Sequence, residues 1–420
     1  MLIQFSCRNF KSIKNEATLS LLAGADKEHP ENIVDFRDER ILSHAAIYGA
    51  NASGKSNVIQ ALATAINIVR KSNSLQISEE IPGLVPFLLD DESRLKPTTF
   101  DFIFTYNNVK YSYGFSADWH QVYEEYLYAY RSNRASKIFE RTETDHFSFT
   151  KANAKAFGEY AEKTTPNKLF LATATAWNCE QTRDAYLWFV EKIETLTDLA
   201  KLESYAFSKF ENNNDENLKA FMIRLLKNAD VNISDYLVKM QDVPDEAMQK
   251  NAVFALLNQI GGPGQLKKVR ISTAHHVKTP EGEKQYALPL RAESLGTQRL
   301  FFYGPLLKET LEQGKTLIID EIDRNLHPLL VESIVDLFRG KGGAASGAQL
   351  IFTTQDVSLL SLKHFRRDQI YFTEKDNQTG MTELYSLDEF SPRKAENIRK
   401  GYLQGRYGAI PMINLGGLLS

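Results

Sequence analysis

Gly49-Ala50-Asn51-Ala52-Ser53-Gly54-Lys55-Ser56 has the spacing G-x-x-x-x-G-K-[ST]. Each fixed position has a physical task. The glycines let the backbone curl until successive N–H groups face phosphate oxygens. Lys55 sets a compact positive charge against the outer phosphates, and the Ser56 hydroxyl suits a Mg²⁺ ion. A short apolar run, 45–48, precedes the loop, and Val58, Leu62, Ala65, Ile66 and Val69 recur at helical spacing after it. A chance glycine-rich turn would not need that strand–loop–helix setting. A helix starting at the loop also turns its partial positive end toward an anion. Residues 49–56 therefore predict a nucleoside triphosphate site, for ATP with Mg²⁺.

Such a loop needs a carboxylate to anchor the metal. Thr316-Leu317-Ile318-Ile319-Asp320-Glu321 ends an apolar strand on two acids. Asp320 is the expected Mg²⁺ partner, and Glu321 is placed to polarise an attacking water. Alone, the pair reads equally as a solvated strand end; the phosphate loop is what favours the metal reading. Lys55 and Asp320 stand much farther apart in sequence than in small GTPases or compact kinases, which predicts a large insertion between two halves of one nucleotide-binding fold. Upstream of the acids, Glu293-Ser294-Leu295-Gly296-Thr297-Gln298-Arg299 leads into an apolar helix. Ser294, Gly296 and the helix N-terminus form a candidate anion-binding surface, against the plainer reading of an ordinary capped helix.

The rest of the chain frames these motifs. Residues 1–20 predict a strand, a turn and a second strand at 17–21, and residues 25–40 predict a loop. Phe100, Phe102 and Phe104 alternate, as do Tyr111, Tyr113 and Phe115, with Asn107-Asn108 as a hairpin turn between them. Residues 155–260 look mainly helical, with polar breaks at 212–215 and 243–245, and Gly261-Gly262-Pro263-Gly264 closes the block. Strand-like segments resume at 269–272 and 287–290. A helix to about Leu311, a strand at 316–319, a helix from Pro328 and a strand at 350–353 then alternate, as in a parallel sheet. The expected fold class is α/β, with a mixed sheet, an antiparallel β region and a mainly helical insertion. The expected division is 1–150 as the first half of the nucleotide-binding head, 151–265 as the insertion and 266–420 as the second half.

Composition excludes several classes. With 43% hydrophobic and 25% charged residues the chain is an ordinary globular one, and its net charge of −3 gives no global attraction to nucleic acid or an anionic membrane. The two cysteines, Cys7 and Cys179, lack metal-ligand spacing and suit a reducing compartment. No stretch approaches the roughly 20 apolar residues of a membrane span, and the first residues lack the apolar core of a signal peptide. A cytoplasmic location and no membrane partner are expected. The adjacent His275 and His276 on a strand point to opposite faces, make a poor metal pair and read as structural. Trp177 and Trp188 read as helical core.

Taken together, the motifs resemble the ATP-binding-cassette ATPases of the SMC/RecF/Rad50 type. More closely they resemble the bacterial AAA-15/AAA-21 ATPases, which include OLD-like and abortive-infection proteins. The likeness begins at Phe5-Ser6-Cys7-Arg8-Asn9-Phe10-Lys11-Ser12-Ile13 and runs through 48–57, 294–299, 317–328 and Phe352-Thr353-Thr354-Gln355-Asp356. The tail Gly401-Tyr402-Leu403-Gln404-Gly405-Arg406-Tyr407-Gly408-Ala409-Ile410-Pro411 is similar to that of the RloA/abortive-infection branch. The resemblance implies a head of the ABC/SMC type and ATP hydrolysis. It implies two heads that sandwich two nucleotides, each held by the loop 49–57 of one subunit and by Ser294, Gly296, Thr297 and Arg299 of the other. It further implies that Arg8, Lys11 and Ser12 lie near the nucleotide of their own subunit, and that Asp323 belongs to a loop communicating across the dimer.

One departure is informative. The family carries histidine where this chain has Gln355, and an amide cannot carry that positive charge. Slow hydrolysis, with ATP acting more as an assembly clamp than as a fuel, is the expectation. OLD-family proteins continue into a Toprim nuclease domain; this chain stops at Ser420, so a separate nuclease or Toprim-like effector is expected. The basic stretch 393–406 (Arg393, Lys394, Arg399, Lys400, Arg406) is a candidate contact for nucleic acid or an acidic partner, or a solvated helix face. The implied role is a sensor or scaffold ATPase in antiphage defence. A RecF/Rad50-like DNA-repair ATPase is the alternative, disfavoured because 155–260 lacks sustained heptads. The energy-supplying subunit of a transporter is weaker still, given the large insertion.

Overall fold

The runs 45–48, 316–319 and 350–353 fold as neighbouring strands of one sheet. In the computed structural model, which describes residues 1–151, 153–210, 215–242, 267–340, 343–393 and 396–411, this sheet has six strands. Their order is Ile193–Leu196, Thr316–Ile319, Gln349–Thr353, His44–Gly49, Ile370–Lys375 and Thr382–Ser386. The first five are parallel and the last is antiparallel to its neighbour. Every residue of His44–Gly49, Thr316–Ile319 and Gln349–Thr353 is buried. Strands covered on both faces need continuous apolar runs, and these have them. The strand that leads into the loop, His44–Gly49, and the strand that precedes Asp320, Thr316–Ile319, lie far apart in the chain and two places apart in the sheet. The fold is that of an α/β P-loop NTPase.

A seven-stranded antiparallel sheet is built around Leu2–Arg8. That strand pairs on one side with Ala17–Ser20 and on the other with Thr98–Tyr106. Phe100, Phe102 and Phe104 are fully buried while Thr99, Asp101 and Ile103 are only partly covered, the period-two pattern of a sheet with one face on the core. Asn107 and Asn108 take positive φ, 47° and 60°, as a two-residue hairpin loop requires. Phe104 stacks on Trp188 with ring centroids 4.1 Å apart. Glu125, buried in this sheet, accepts hydrogen bonds from the Phe170 and Leu171 N–H groups at 2.6 and 2.9 Å and from Tyr113 Oη at 3.0 Å. Buried Arg141 approaches the same carboxylate to 4.0 Å and caps the Thr144 and Lys168 carbonyls.

Three local expectations change. Residues 25–40, read as loop, contain most of a hairpin, Ile33–Phe36 with Glu39–Leu42; its ladder is short and charged and so lacks apolar alternation. The stretch 151–265 is helical at Ala154–Glu162, Phe170–Ala176, Glu180–Leu187, Leu199–Phe210 and Glu216–Asn228, but Asp235–Asp242 is a strand of a separate antiparallel sheet and Ile193–Leu196 is the edge strand of the parallel sheet. Four residues are too few for periodicity to separate strand from helix. Trp188 is core, whereas Trp177 is 53% exposed with Lys163 Nζ 3.8 Å from its ring centre. The breaks at 212–214 and 243–245 and the run 261–264 lie outside the described residues, as does Lys394.

The chain forms two compact units. One comprises Met1–Thr197, Thr310–Arg324 and the chain from Val331; the other comprises Asp198–Glu309 and Asn325–Leu330. The second unit holds the helices Leu199–Phe210 and Glu216–Asn228, the latter capped by the Asp215 carboxylate on Leu218 N at 2.9 Å. It also holds the antiparallel sheet Asp235–Asp242, Lys267–Thr279 and Gly282–Pro289. The helix Leu295–Gln313 begins in this unit. Among the described residues no helix is long and apolar enough to cross a membrane.

Candidate nucleotide site

The loop 49–56 leaves the C-terminal end of His44–Gly49, and the helix Lys55–Lys71 starts inside it. Ala52 and Gly54 sit at φ 62° and 107°, so the chain curls back on itself as the glycine spacing requires. The fit of its neighbours is close. A Cβ on Gly49 would lie 2.5 Å from both Ser53 Oγ and Thr373 Oγ1, and one on Gly54 would lie 2.3 Å from Thr382 Oγ1. Asn57 N and Val58 N bond to Gly54 O at 2.9 and 3.2 Å, opening the helix. Lys55 is 6% exposed, with Nζ donating to Gly49 O at 2.7 Å and Ala50 O at 2.9 Å. Burial lowers the Lys55 pKa, while Asp320, Glu321 and Asp323 act to raise it, which puts all three carboxylates within electrostatic reach of the ammonium.

The acidic turn after Thr316–Ile319 is held from one residue of the neighbouring strand. Thr353 Oγ1 donates to Asp320 Oδ1 at 2.6 Å and accepts from Glu321 N at 2.7 Å, and Thr353 O accepts from Ile322 N at 3.1 Å. One residue later, Thr354 N donates to Ile47 O at 3.1 Å on the strand that carries the phosphate loop. Gln355 N then donates to Asp323 Oδ2 at 3.2 Å, leaving its amide exposed at the same strand ends. Glu321 adopts φ 52°, a conformation that non-glycine residues hold only when their surroundings enforce it. The Asp323 Oδ1 and Tyr48 Oη atoms are buried with no hydrogen-bond partner, and Asp323 and Asp356 act, after burial, to raise the Tyr48 pKa.

Of the N-terminal residues, Ser12 and Lys11 reach the helix that carries the loop. Ser12 Oγ accepts from Asn57 Nδ2 at 2.6 Å and pairs with Thr382 Oγ1 at 2.7 Å, and Lys11 Nζ bonds to Gln60 Oε1. Arg8 is exposed at the end of its strand. Three threonines support the site: Thr353, which lies in the quoted stretch 352–356, and two that no motif announces, Thr373, whose hydroxyl meets Ser53 Oγ at 2.6 Å, and Thr382, which donates to Ser53 O at 2.9 Å. Thr353 is the one whose setting was visible, at the end of an apolar run before Gln355. Thr373 and Thr382 come in only through strand register, Thr373 lying opposite Gly49.

The segment 293–299 belongs to the second unit. Ser294 Oγ accepts from Thr297 N at 3.1 Å and pairs with Thr297 Oγ1 at 2.9 Å, capping the helix Leu295–Gln313. Ser294 is exposed and Gly296 and Thr297 are half-buried. A Cβ on Gly296 would approach Asn325 O to 2.8 Å. Arg299 turns inward instead: it is 6% exposed and reaches Tyr303 Oη at 3.3 Å. It therefore does not present its guanidinium at the surface beside the other three. In the tail, the helix Ile398–Leu403 packs Tyr402 against Phe372, and Arg406 pairs with Glu396 at 2.6 Å. His275 and His276 do lie on opposite faces of Lys267–Thr279, and no cluster of three or more metal-ligating side chains exists among the described residues.

The residues at 49–57 fit a magnesium nucleotide: a curled loop whose close neighbours exclude side chains at Gly49 and Gly54, a buried ammonium, and carboxylates at the next-but-one strand end. No curated protein sequence matches the chain. Among solved structures it is similar to the SMC head domain from Thermotoga maritima, with TM-score 0.40 and 12% identity over 92% of this chain and 98% of that one. It is similar also to an SMC head bound to the C-terminal winged-helix domain of ScpA, with TM-score 0.38 and 12% identity over 92% and 97%. A third is cbiO1 from Clostridium perfringens, part of the ABC transporter complex cbiONQ, with TM-score 0.30 and 11% identity over 90% and 95%. The family described as "AAA domain, putative AbiEii toxin, Type IV TA system" matches residues 45–361, a span that takes in both the phosphate loop and the acidic strand end, and the chain belongs to that family.

Proposed function

We propose that the protein binds Mg²⁺-ATP on the loop 49–57 and hydrolyses it slowly, using ATP chiefly to assemble two copies. Lys55 and the loop N–H groups hold the phosphates, and Ser56 and Asp320 hold the metal. A Mg²⁺ ion held there would neutralise charge on the outer phosphate oxygens. Glu321 orients a water and takes its proton as the water oxygen bonds to the γ-phosphorus and the bond to ADP breaks. Ser294, Gly296 and Thr297 of a second copy complete the site, and Gln355 limits turnover. The observation that carries this reading is the lacing of the acidic turn 320–323 to residues 353–355, one strand away from the loop of Lys55.

The family's description as a putative toxin of a type IV toxin–antitoxin system supports a role in abortive infection, with a separate effector responding to the assembled state. The test is the mass of the protein in solution with and without Mg²⁺-ATP, for the wild type and for Glu321→Gln. The Gln variant should bind ATP, fail to turn it over and accumulate as the larger species. Identical masses in all four conditions would count decisively against the clamp.

A further inference from the structure

The residue before the helix cap is held by a device that no motif requires. Glu293 is largely buried, its side chain 12% exposed, and Oε1 receives two hydrogen bonds from one strand. His275 Nε2 lies 2.8 Å away, itself only 15% exposed, and Thr273 Oγ1 lies 2.5 Å away. Thr273 and His275 are two residues apart on Lys267–Thr279, so they share one face of the sheet. Thr273 is 1% exposed, and its hydroxyl, which also has Leu288 O within reach at 3.2 Å, lies closer to the Glu293 carboxylate. Glu293 is further fixed through its backbone: its N–H donates to Leu290 O at 3.0 Å and its carbonyl accepts from Gln298 Nε2 at 2.8 Å. All these residues belong to the second unit.

We infer that Thr273, His275 and Glu293 form a latch that positions Ser294, Gly296 and Thr297 for the nucleotide held by a second copy. This rests on the reading of 294–299 as the segment that completes the partner's site. Glu293 is joined directly to Ser294, whose hydroxyl already caps the helix through Thr297, so fixing the Glu293 carboxylate fixes the direction in which the cap points. Between the strand Gly282–Pro289 and the helix Leu295–Gln313 the chain makes only one short turn, Leu290–Ala292. Without the latch, that connection keeps the buried Leu290 and the two backbone bonds of Glu293, but nothing holds its carboxylate to the strand, and the cap can tilt against the sheet. The three residues act through Ser294 and Thr297; they are positioning residues and do not touch the nucleotide.

The experiment uses the full chain and reads three quantities: steady-state ATP turnover, affinity for a fluorescent ATP analogue, and ATP-dependent mass in a Glu321→Gln background. His275→Ala and Thr273→Val should each lower kcat about tenfold, the rate equivalent of one lost hydrogen bond to a charged group. Analogue affinity should stay within about twofold, because the loop 49–57 is untouched, and the larger species should need more ATP to form. His275→Gln keeps an N–H able to reach Glu293 and should recover kcat to within about threefold, a rescue that a purely packing role would not produce. Should His275→Ala fail to fold, Glu293→Gln replaces it, with the same split between kcat and affinity expected. Wild-type kcat in the folded latch variants overturns the proposal. Ser294→Ala and Gly296→Val separate the two levels. If they impair turnover and assembly while the latch variants do not, only the latch falls; if they change nothing, the reading of 294–299 falls and takes the latch with it.

Discussion

Replacing Thr353 by valine removes one hydroxyl from the centre of the proposed site while keeping the side chain's size and branching. That hydroxyl donates to Asp320 Oδ1 at 2.6 Å and accepts from Glu321 N at 2.7 Å, and Thr353 is fully buried. A hydrogen bond to a carboxylate contributes about 1.5–3 kcal/mol and a neutral one about 1 kcal/mol, and water cannot replace either at a buried position. The variant should therefore lose roughly 2–4 kcal/mol of interaction at the acidic turn. Part of this appears as lower stability and part as looser placement of Asp320 and Glu321. If half reaches the reaction barrier, kcat falls about five- to thirtyfold, since each ~1.4 kcal/mol is tenfold. The assay is phosphate release as a function of Mg²⁺ concentration. Thr353→Val should need more Mg²⁺ for half-maximal rate as well as turning over more slowly, and Thr353→Ser, which keeps the hydroxyl, should restore most of both. A valine variant with the wild-type rate and Mg²⁺ dependence would refute the idea that Thr353 places the acids.

Three further outcomes are expected. Gln355→His should raise the single-turnover hydrolysis rate about tenfold, the scale of one added charge-assisted contact in the transition state; equal rates in rapid-quench measurements would remove Gln355 as the limit on turnover. Gly54→Ala must fit a Cβ against Thr382 Oγ1 at φ 107°, a strain of about 1–3 kcal/mol before the steric clash is counted, so fluorescent-nucleotide titration should show affinity weakened about a hundredfold. Glu125→Ala strips Arg141 of its carboxylate and orphans the Phe170 and Leu171 N–H groups. Denaturant unfolding of the first unit should show a loss of about 3–5 kcal/mol, the usual effect of breaking a buried ion pair from one side; nucleotide affinity measured well below the transition should hold.

Much of the fold was readable because its chemistry is local. Three of the parallel strands, His44–Gly49, Thr316–Ile319 and Gln349–Thr353, are buried on both faces, so their apolar runs stand out, and the helix after the loop shows its period. The hairpin at Asn107-Asn108 announces itself through the one turn type those residues favour. The charged hairpin inside 25–40 and the edge strand Ile193–Leu196 do not, because neither has enough apolar alternation to separate strand from its competitors. The exposure of Trp177 was likewise not predictable from its own neighbours in sequence, which are those of a buried helix.

By itself the sequence determined the phosphate loop, the acids that face it and the class of fold that must bring them together, since a curled N–H cradle and a strand-end carboxylate are each written within eight residues. Only the tertiary structure decided which hydroxyls hold them. Thr353, Thr373 and Thr382 bear on Asp320, Ser53 and one another's neighbours through strand register, and register is a property of the sheet rather than of any one segment. The same is true of Arg299, which burial turns inward beside Tyr303, and of Glu293, whose carboxylate is fixed by a strand that lies about twenty residues away in the chain.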